Sequence, residues 1–342
     1  MRLLDPYTPP MTLPGIDLDL SRNEGQPPDM SILDEVSGEP GLLNRYPDSS
    51  GLRDKVSKLR DVSPEATLVT AGGDDALLRC CAALLTAGTR TVTTTPTFEM
   101  IARYSALQGA DLVEVPWKNG PFPTDRLVGS AEAGAVCLIV SPNNPTGEVI
   151  GSEDLLELAE AFEYVVLDGA YMEFAAVDLT RDALQQPNVL MLRTLSKAWG
   201  LAGLRVGYLL GEPSLVRRVS AFGNPYPVSR LSLAIAEKRL EAGDVDDFIH
   251  EVCAERNTLT DLFARLGLEP IESQANFVFA ETSAAEYVRS ALADAGIAIR
   301  TFPGRPGLER ALRVTLPGVA TDFERLVGTL EKVLRRDQET RS

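Results

Sequence analysis

Three short, almost wholly apolar runs constrain this chain more than anything else in it: Ala135-Val-Cys-Leu-Ile-Val140, Tyr164-Val-Val-Leu167 and Val189-Leu-Met-Leu-Arg193. A strand that is apolar on both faces must be covered on both, and helices supply the cover. Between these runs the apolar spacing lengthens to that of a helix, as in Leu155, Leu158 and Ala159, with Ser152 read as the cap. Further strands read at 68–70, 91–95 and 111–115, and helical segments begin at Gly51, Gly73 and Phe98. Strand and helix in alternation predict an α/β fold, a mostly parallel sheet with helices on both faces.

The two ends differ from this middle. Residues 1–40 are rich in Pro, Gly and Asp, and Pro9-Pro10, Pro14-Gly15 and Gln26-Pro27-Pro28 resist regular structure. They read as an arm tied down against a neighbour, because Ile16, Leu18 and Leu20 alternate like a short strand. After Pro225 a long helical stretch, broken at Gly243, leads to strands near 276–280, 297 and 312. A last helix opens with the capping box Thr321-Asp-Phe-Glu324. The expected organisation is an N-terminal arm (1–40), a large domain (41–225) and a smaller C-terminal α+β domain (226–342).

In open α/β sheets ligands bind outside the carboxyl ends of the strands, and here each apolar run empties into a polar loop. These loops are Ser141-Pro-Asn-Asn-Pro-Thr-Gly147, Asp168-Gly-Ala-Tyr171 and Thr194-Leu-Ser-Lys197, the last followed by Arg205. A partly desolvated lysine has a lowered pKa and a free amine for carbonyl chemistry. Thr194, Ser196 and Arg205 supply donors for a phosphate. An aldehyde that carries a phosphate and is held by a lysine describes pyridoxal 5'-phosphate. Asp168 can keep a pyridine nitrogen protonated, so that the ring takes up electrons. Asn144 and Tyr171 can donate to the phenolic oxygen, and Phe98 offers a face to stack on. A helix opening at Gly73-Asp74 presents free backbone N–H groups to a phosphate. Each piece alone reads equally as a solvated lysine, a Pro/Asn turn or a capped helix. Their joint occurrence at strand ends carries the reading.

Composition removes several other classes. Lys plus Arg is 33 against 49 Asp plus Glu, a net charge of −16, which disfavours nucleic acid and anionic membranes as partners. Cys80, Cys81, Cys137 and Cys253 show no ligand spacing, and His250 is the single histidine, so neither a zinc site nor a His-based triad is expected. Reduced cysteines and no apolar signal core or membrane-length run point to a cytoplasmic protein.

From about Asn44 onward the chain resembles the fold-type I pyridoxal-phosphate aminotransferases of class I/II, and within them the histidinol-phosphate branch. The three loops above occur in that family's order, and Asn44-Arg-Tyr-Pro47, Asn224-Pro-Tyr-Pro-Val-Ser229, Ala275-Asn-Phe-Val278 and Leu312-Arg-Val-Thr315 point the same way. The resemblance implies a seven-stranded sheet and a homodimer in which Tyr46 reaches the partner's cofactor phosphate. It implies Lys197 as the covalent attachment point and proton carrier, with Asp168 on the pyridine nitrogen. Asn144 and Tyr171 would hold the phenolic oxygen, and Gly73, Asp74, Thr194, Ser196 and Arg205 the phosphate. Arg313 would bind the substrate carboxylate together with Asn144. The implied reaction is ping-pong transfer of an amino group between an amino acid or histidinol phosphate-like amino alcohol and a 2-oxo acid. An aromatic amino acid aminotransferase and a threonine-phosphate decarboxylase-like lyase are the alternatives. A cofactor-binding regulator of DNA is disfavoured by the acidic charge. Arg22, Arg300 and Arg305 are candidate helpers for a second anionic group. Gly169 stands where the family has an acid and Phe98 where this branch has tyrosine.

Overall fold

Seven strands form one sheet, in the order Thr67–Thr70, Gly207–Leu210, Val189–Thr194, Tyr164–Asp168, Val136–Val140, Arg90–Thr95 and Asp111–Pro116. Gly207–Leu210 runs antiparallel to both of its neighbours, and the other pairings are parallel. The computed structural model describes residues 14–341 other than Asp244, with side chains as far as Arg335. The mostly parallel, doubly covered sheet expected from the apolar runs is present. Along Val136–Val140 every residue is buried. Residues 136, 138 and 140 pack with Ala76, Leu77 and Cys80 of the helix Gly72–Leu84, while Cys137 and Ile139 join the opposite layer with Leu155 and Leu158. Each fully buried aliphatic side chain there stabilises the fold by about 1.5–3 kcal/mol.

The strand order reverses between Arg90–Thr95 and Val136–Val140, where consecutive connections leave in opposite directions. At such a switch point the loops diverge and leave a crevice. A second, antiparallel sheet of Arg300–Thr301, Ala311–Thr315, Phe277–Glu281 and Glu269–Ile271 follows in the chain. The helices Asp246–Arg265 and Ala285–Asp294 pack on it.

The described part of the arm runs as a strap across both sheets and, against the expectation of no regular structure, ends in a helix, Ile32–Ser37, packed on Arg230–Ala242. Leu18–Asp19 pairs in parallel with Ile297–Ala298. Thr315 donates its N–H to Leu20 O at 3.0 Å, and its hydroxyl accepts the Asn23 N–H at 3.0 Å. The strap then meets the large sheet backbone to backbone. A Cβ at Gly25 would lie 1.8 Å from Lys197 O, and one at Gly200 (φ +71°) would lie 1.8 Å from Gln26 O. The prolines and glycines that rule out helix here are what permit so close a crossing. The short strand read from Ile16, Leu18 and Leu20 is therefore real, and its neighbour is this chain's own C-terminal half. Residues 1–13 lie outside the described residues.

Three local readings are corrected. Ser152 is the first residue of Ser152–Ala161, not its cap; Asp154 instead accepts the Gly151 N–H at 2.8 Å. Thr321 lies inside Ala320–Arg341, so the capping box is out of register: the chain has already turned at Gly318 (φ +63°), whose N–H Glu255 accepts. Phe98 sits in the turn ahead of Met100–Gln108 rather than on the helix.

Candidate active site

The three polar loops meet at the crevice in a pocket of about 220 Å³. Its wall includes Gly73, Asp74, Phe98, Asn144, Asp168, Tyr171, Thr194, Ser196, Lys197, Arg205 and Arg313. Each is placed by identifiable bonds. Buried Asn143 donates to Pro96 O at 2.9 Å and accepts from Thr97 Oγ1 at 2.8 Å, which ties the turn carrying Phe98 to the loop carrying Asn144. Asn144 Oδ1 in turn accepts from Arg313 at 2.5 Å. Arg313 also donates to Ser21 O at 2.7 Å and lies over the Phe277 ring, its guanidinium carbon 5.2 Å from the centroid. Such packing fixes a planar fork with little freedom left to lose.

One end of the pocket is built of donors. The helix Gly72–Leu84 points its first turn inward, and backbone N–H groups there have no partner within the helix. Asp75 takes up the Ala71 N–H at 2.9 Å from just outside. Thr194 Oγ1 donates to Ser196 Oγ at 2.9 Å, and Arg205 donates to Asp74 at 3.1 Å. Arg205 itself adopts a left-handed conformation (φ +53°). Gly72 beside it has φ +80°, a conformation that side chains rarely adopt, and a Cβ there would also meet the Arg205 guanidinium at 2.9 Å. The cradle is thus shaped by the absence of side chains as much as by their presence.

The other end holds two titrating groups displaced toward each other. Burial pushes the Asp168 carboxyl up to about 7, against the pull of the Ala170 N–H that it accepts at 3.1 Å. Burial, followed by the neighbouring Arg313, brings the Lys197 ammonium down to about 8, while Glu24 and Asp74 hold it up. Lys197 Nζ donates to Arg22 O at 3.2 Å and stands 5.6 Å from the centre of the Tyr171 ring. Burial also raises the Tyr171 phenol, whose oxygen accepts from Asn23 Nδ2 at 3.0 Å. An acid and an amine in one pocket, each pushed toward its neutral form, suit carbonyl and proton-transfer chemistry.

The family model for aminotransferases of class I and II matches residues 16–330. The chain belongs to that family. Among curated relatives of this aminotransferase, a histidinol-phosphate aminotransferase of Caldanaerobacter subterraneus subsp. tengcongensis is 32% identical over 85% of each chain. Histidinol-phosphate aminotransferase 1 of Trichormus variabilis is 33% identical over 90% of this chain and 89% of its own. The solved histidinol-phosphate aminotransferase of Sinorhizobium meliloti, in complex with pyridoxal-5'-phosphate, superposes with a TM-score of 0.84 at 27% identity, covering 94% of this chain and 91% of that one.

Of the residues that the sequence assigned to cofactor and substrate, the pocket gathers all but Tyr46, which is 79% exposed and stacks on Tyr226 with ring centroids 4.7 Å apart; Arg300 and Arg305, read as helpers, lie outside its wall. Asn23, Val140 and Ala170 join the wall without having been named as site residues, and Arg22, read as a helper for a second anionic group, lines it too. Val140 directly adjoins one of the loops named and Ala170 lies within another, so their signal was position in the chain. Asn23 had none: a Pro/Gly-rich arm has no period, and its partners lie in the strand Ala311–Thr315. Gly169 faces away from the pocket, since a Cβ there would meet Met191 Cε at 2.5 Å and Arg193 Cδ at 3.2 Å. The donor set and the glycine cradle fit a phosphorylated pyridine aldehyde. Among the described residues no group of three His, Cys, Asp or Glu could hold a metal ion, and no helix is long and apolar enough to cross a membrane.

Proposed function

We propose that this aminotransferase uses pyridoxal 5'-phosphate to move an amino group from a histidinol phosphate-like donor to a 2-oxo acid. One observation carries the reading: Asp168 and Lys197 share a pocket with their pKa values displaced toward 7 and 8. When bound, the cofactor supplies an electron sink for the charge left at the substrate's Cα. The chain's own residues do the rest. The carboxylate of Asp168 would hold the pyridine nitrogen protonated, an interaction that also relieves its own burial. The Gly73 and Asp74 N–H groups, Thr194, Ser196 and Arg205 would hold the phosphate. Asn144 and Tyr171 would orient the phenolic oxygen, with Tyr171 fixed by Asn23. Lys197 would attach the cofactor, and its amine, brought down to about 8, would be neutral often enough near pH 7–8 to hold and move the substrate's Cα proton. Arg313 would grip a carboxylate through the fork not spent on Ser21 O and Asn144.

The exposed aromatic pair Tyr46 and Tyr226, with Phe222 52% exposed and Leu43 87% exposed nearby in sequence, supports a homodimer. In it Tyr46 would reach the partner's phosphate. The two sheets support a large domain to about 225, a small one after it, and the arm between them.

The experiment is a donor panel read by absorbance of the lysine-bound cofactor. Histidinol phosphate should bleach it and 2-oxoglutarate restore it, whereas Lys197→Ala should lose both the absorbance and the activity. Activity that survived Lys197→Ala would end this assignment.

A further inference from the structure

Asn23 sits where the strap passes from the second sheet to the first, and it is 1% exposed. Its φ of +57° lies in the left-handed region, which Asn and Asp tolerate better than other residues that carry a side chain. All four of its polar groups are engaged. The N–H donates to Thr315 Oγ1 at 3.0 Å, and the carbonyl accepts from Asn276 Nδ2 at 3.3 Å. Side-chain Oδ1 accepts from Thr315 Oγ1 at 2.9 Å, and Nδ2 donates to the Tyr171 hydroxyl at 3.0 Å. Thr315 and Asn276 are buried as well.

This chain of bonds has a sense. A hydroxyl has one proton to give and can accept besides. Thr315 accepts the Asn23 N–H, and its single proton goes to Oδ1. That commits Oδ1 as an acceptor and turns the N–H side of the amide toward Tyr171. The phenol therefore receives a hydrogen bond from Asn23 and keeps its own proton to donate elsewhere. Burial, against the pull of Arg313, raises the phenol, so that proton stays in place near neutral pH. The ring is held edge-on to buried Phe277, with centroids 5.2 Å apart, and Tyr171 forms part of the pocket wall. The direction left for its proton is into the pocket.

We infer that Asn23 is a positioning residue of this aminotransferase: with Thr315 behind it, it sets the sense of the Tyr171 hydrogen bond, so that the phenol donates into the cofactor pocket. This rests on the proposed role of Tyr171 and adds the groups that impose that role. The strap and the strand Ala311–Thr315 thereby act on the cofactor's phenolic oxygen through an intermediary, without touching it.

The test follows the colour of the lysine-bound cofactor against pH, in the holoenzyme and without substrate. A proton offered to the phenolic oxygen steadies negative charge there and lowers the pH at which the lysine-linked nitrogen loses its own proton. Asn23→Asp keeps the size and the backbone tolerance but accepts where the amide donated, so it draws the phenol's proton out of the pocket. Its colour change should move to higher pH by about one unit. Thr315→Val adds no charge and releases Oδ1, so the amide is free to turn over; it should move the colour change the same way by less. In a Tyr171→Phe background there is no proton to direct. There Thr315→Val should have no effect, and Asn23→Asp should keep only the part that its added charge exerts directly. Shifts as large without the phenol as with it would mean that Asn23 merely anchors the strap, and would overturn the inference. So would no shift in either variant, or cofactor lost from both variants while Tyr171→Phe retains it. No donor enters the measurement, so a parent that shows these shifts yet transaminates nothing would end the proposed function and leave the positioning role standing.

Discussion

Asp168 shows how a single residue can be costly alone and useful when paired. Its folded pKa is raised from 3.8 to about 7, so between those values the folded chain keeps a proton that the unfolded chain releases. The cofactor-free protein therefore loses stability through this group as pH rises across that window. Glu255, also raised by burial to about 7, gives a slope of the same sign, so the useful quantity is the difference between variant and parent. Cofactor-free Asp168→Asn should be more stable than the parent at pH 8 by on the order of 1–3 kcal/mol, with little gain at pH 4. Its transamination should drop by about 10²–10³. Denaturant unfolding at the two pH values checks the first statement, and equal offsets at both would refute it. Gly169 is the companion case. The acid usual at that place would point at buried Arg193, whose charge is here met by Glu173 at 2.7 Å and Asp178 at 3.0 Å. Motif residues were legible because their loops follow buried strands. Asn23 was not, since its place is set by a bond to Thr315, nearly 300 positions away.

Among elements, the apolar runs announced their strands because burial on both faces leaves no polar positions to confuse the period. Gly207–Leu210 was not singled out: it is four residues long and follows a glycine-broken polar stretch. The helix starts were misplaced by a residue or two where a carboxylate or a glycine, rather than the nearest serine or threonine, ends the incoming loop. The strap gives the sharpest element-level expectation. Gly25→Ala should cost more than about 2 kcal/mol or displace the strap, since its Cβ would overlap Lys197 O. Gly203→Ala, with nothing within 4 Å of its Cβ, should be nearly silent. Melting temperatures and the absorbance of the bound cofactor distinguish these cases. Comparable behaviour of the two variants would show that the crossing is looser than described.

At the scale of the whole molecule, the sequence predicted the α/β fold and the family together, because the chemistry sits on the loops that the fold itself exposes. What it did not convey was how the first and last parts of the chain close over those loops. Tyr46 belongs to a larger assembly still. If its hydroxyl reaches a partner's phosphate, Tyr46→Phe should weaken cofactor binding about tenfold, near 1.4 kcal/mol. Dilution of the parent to the point of subunit dissociation should release cofactor as well. Cofactor affinity indifferent to both the substitution and the dilution would remove Tyr46 from the site.

The strap meets the reactive lysine through its main chain, the Arg22 carbonyl accepting from the amine. Main-chain geometry survives almost any exchange of residue, whereas a side chain can be swapped in one step. Residue 22 can therefore be exchanged while the carbonyl that holds the working amine stays where it was.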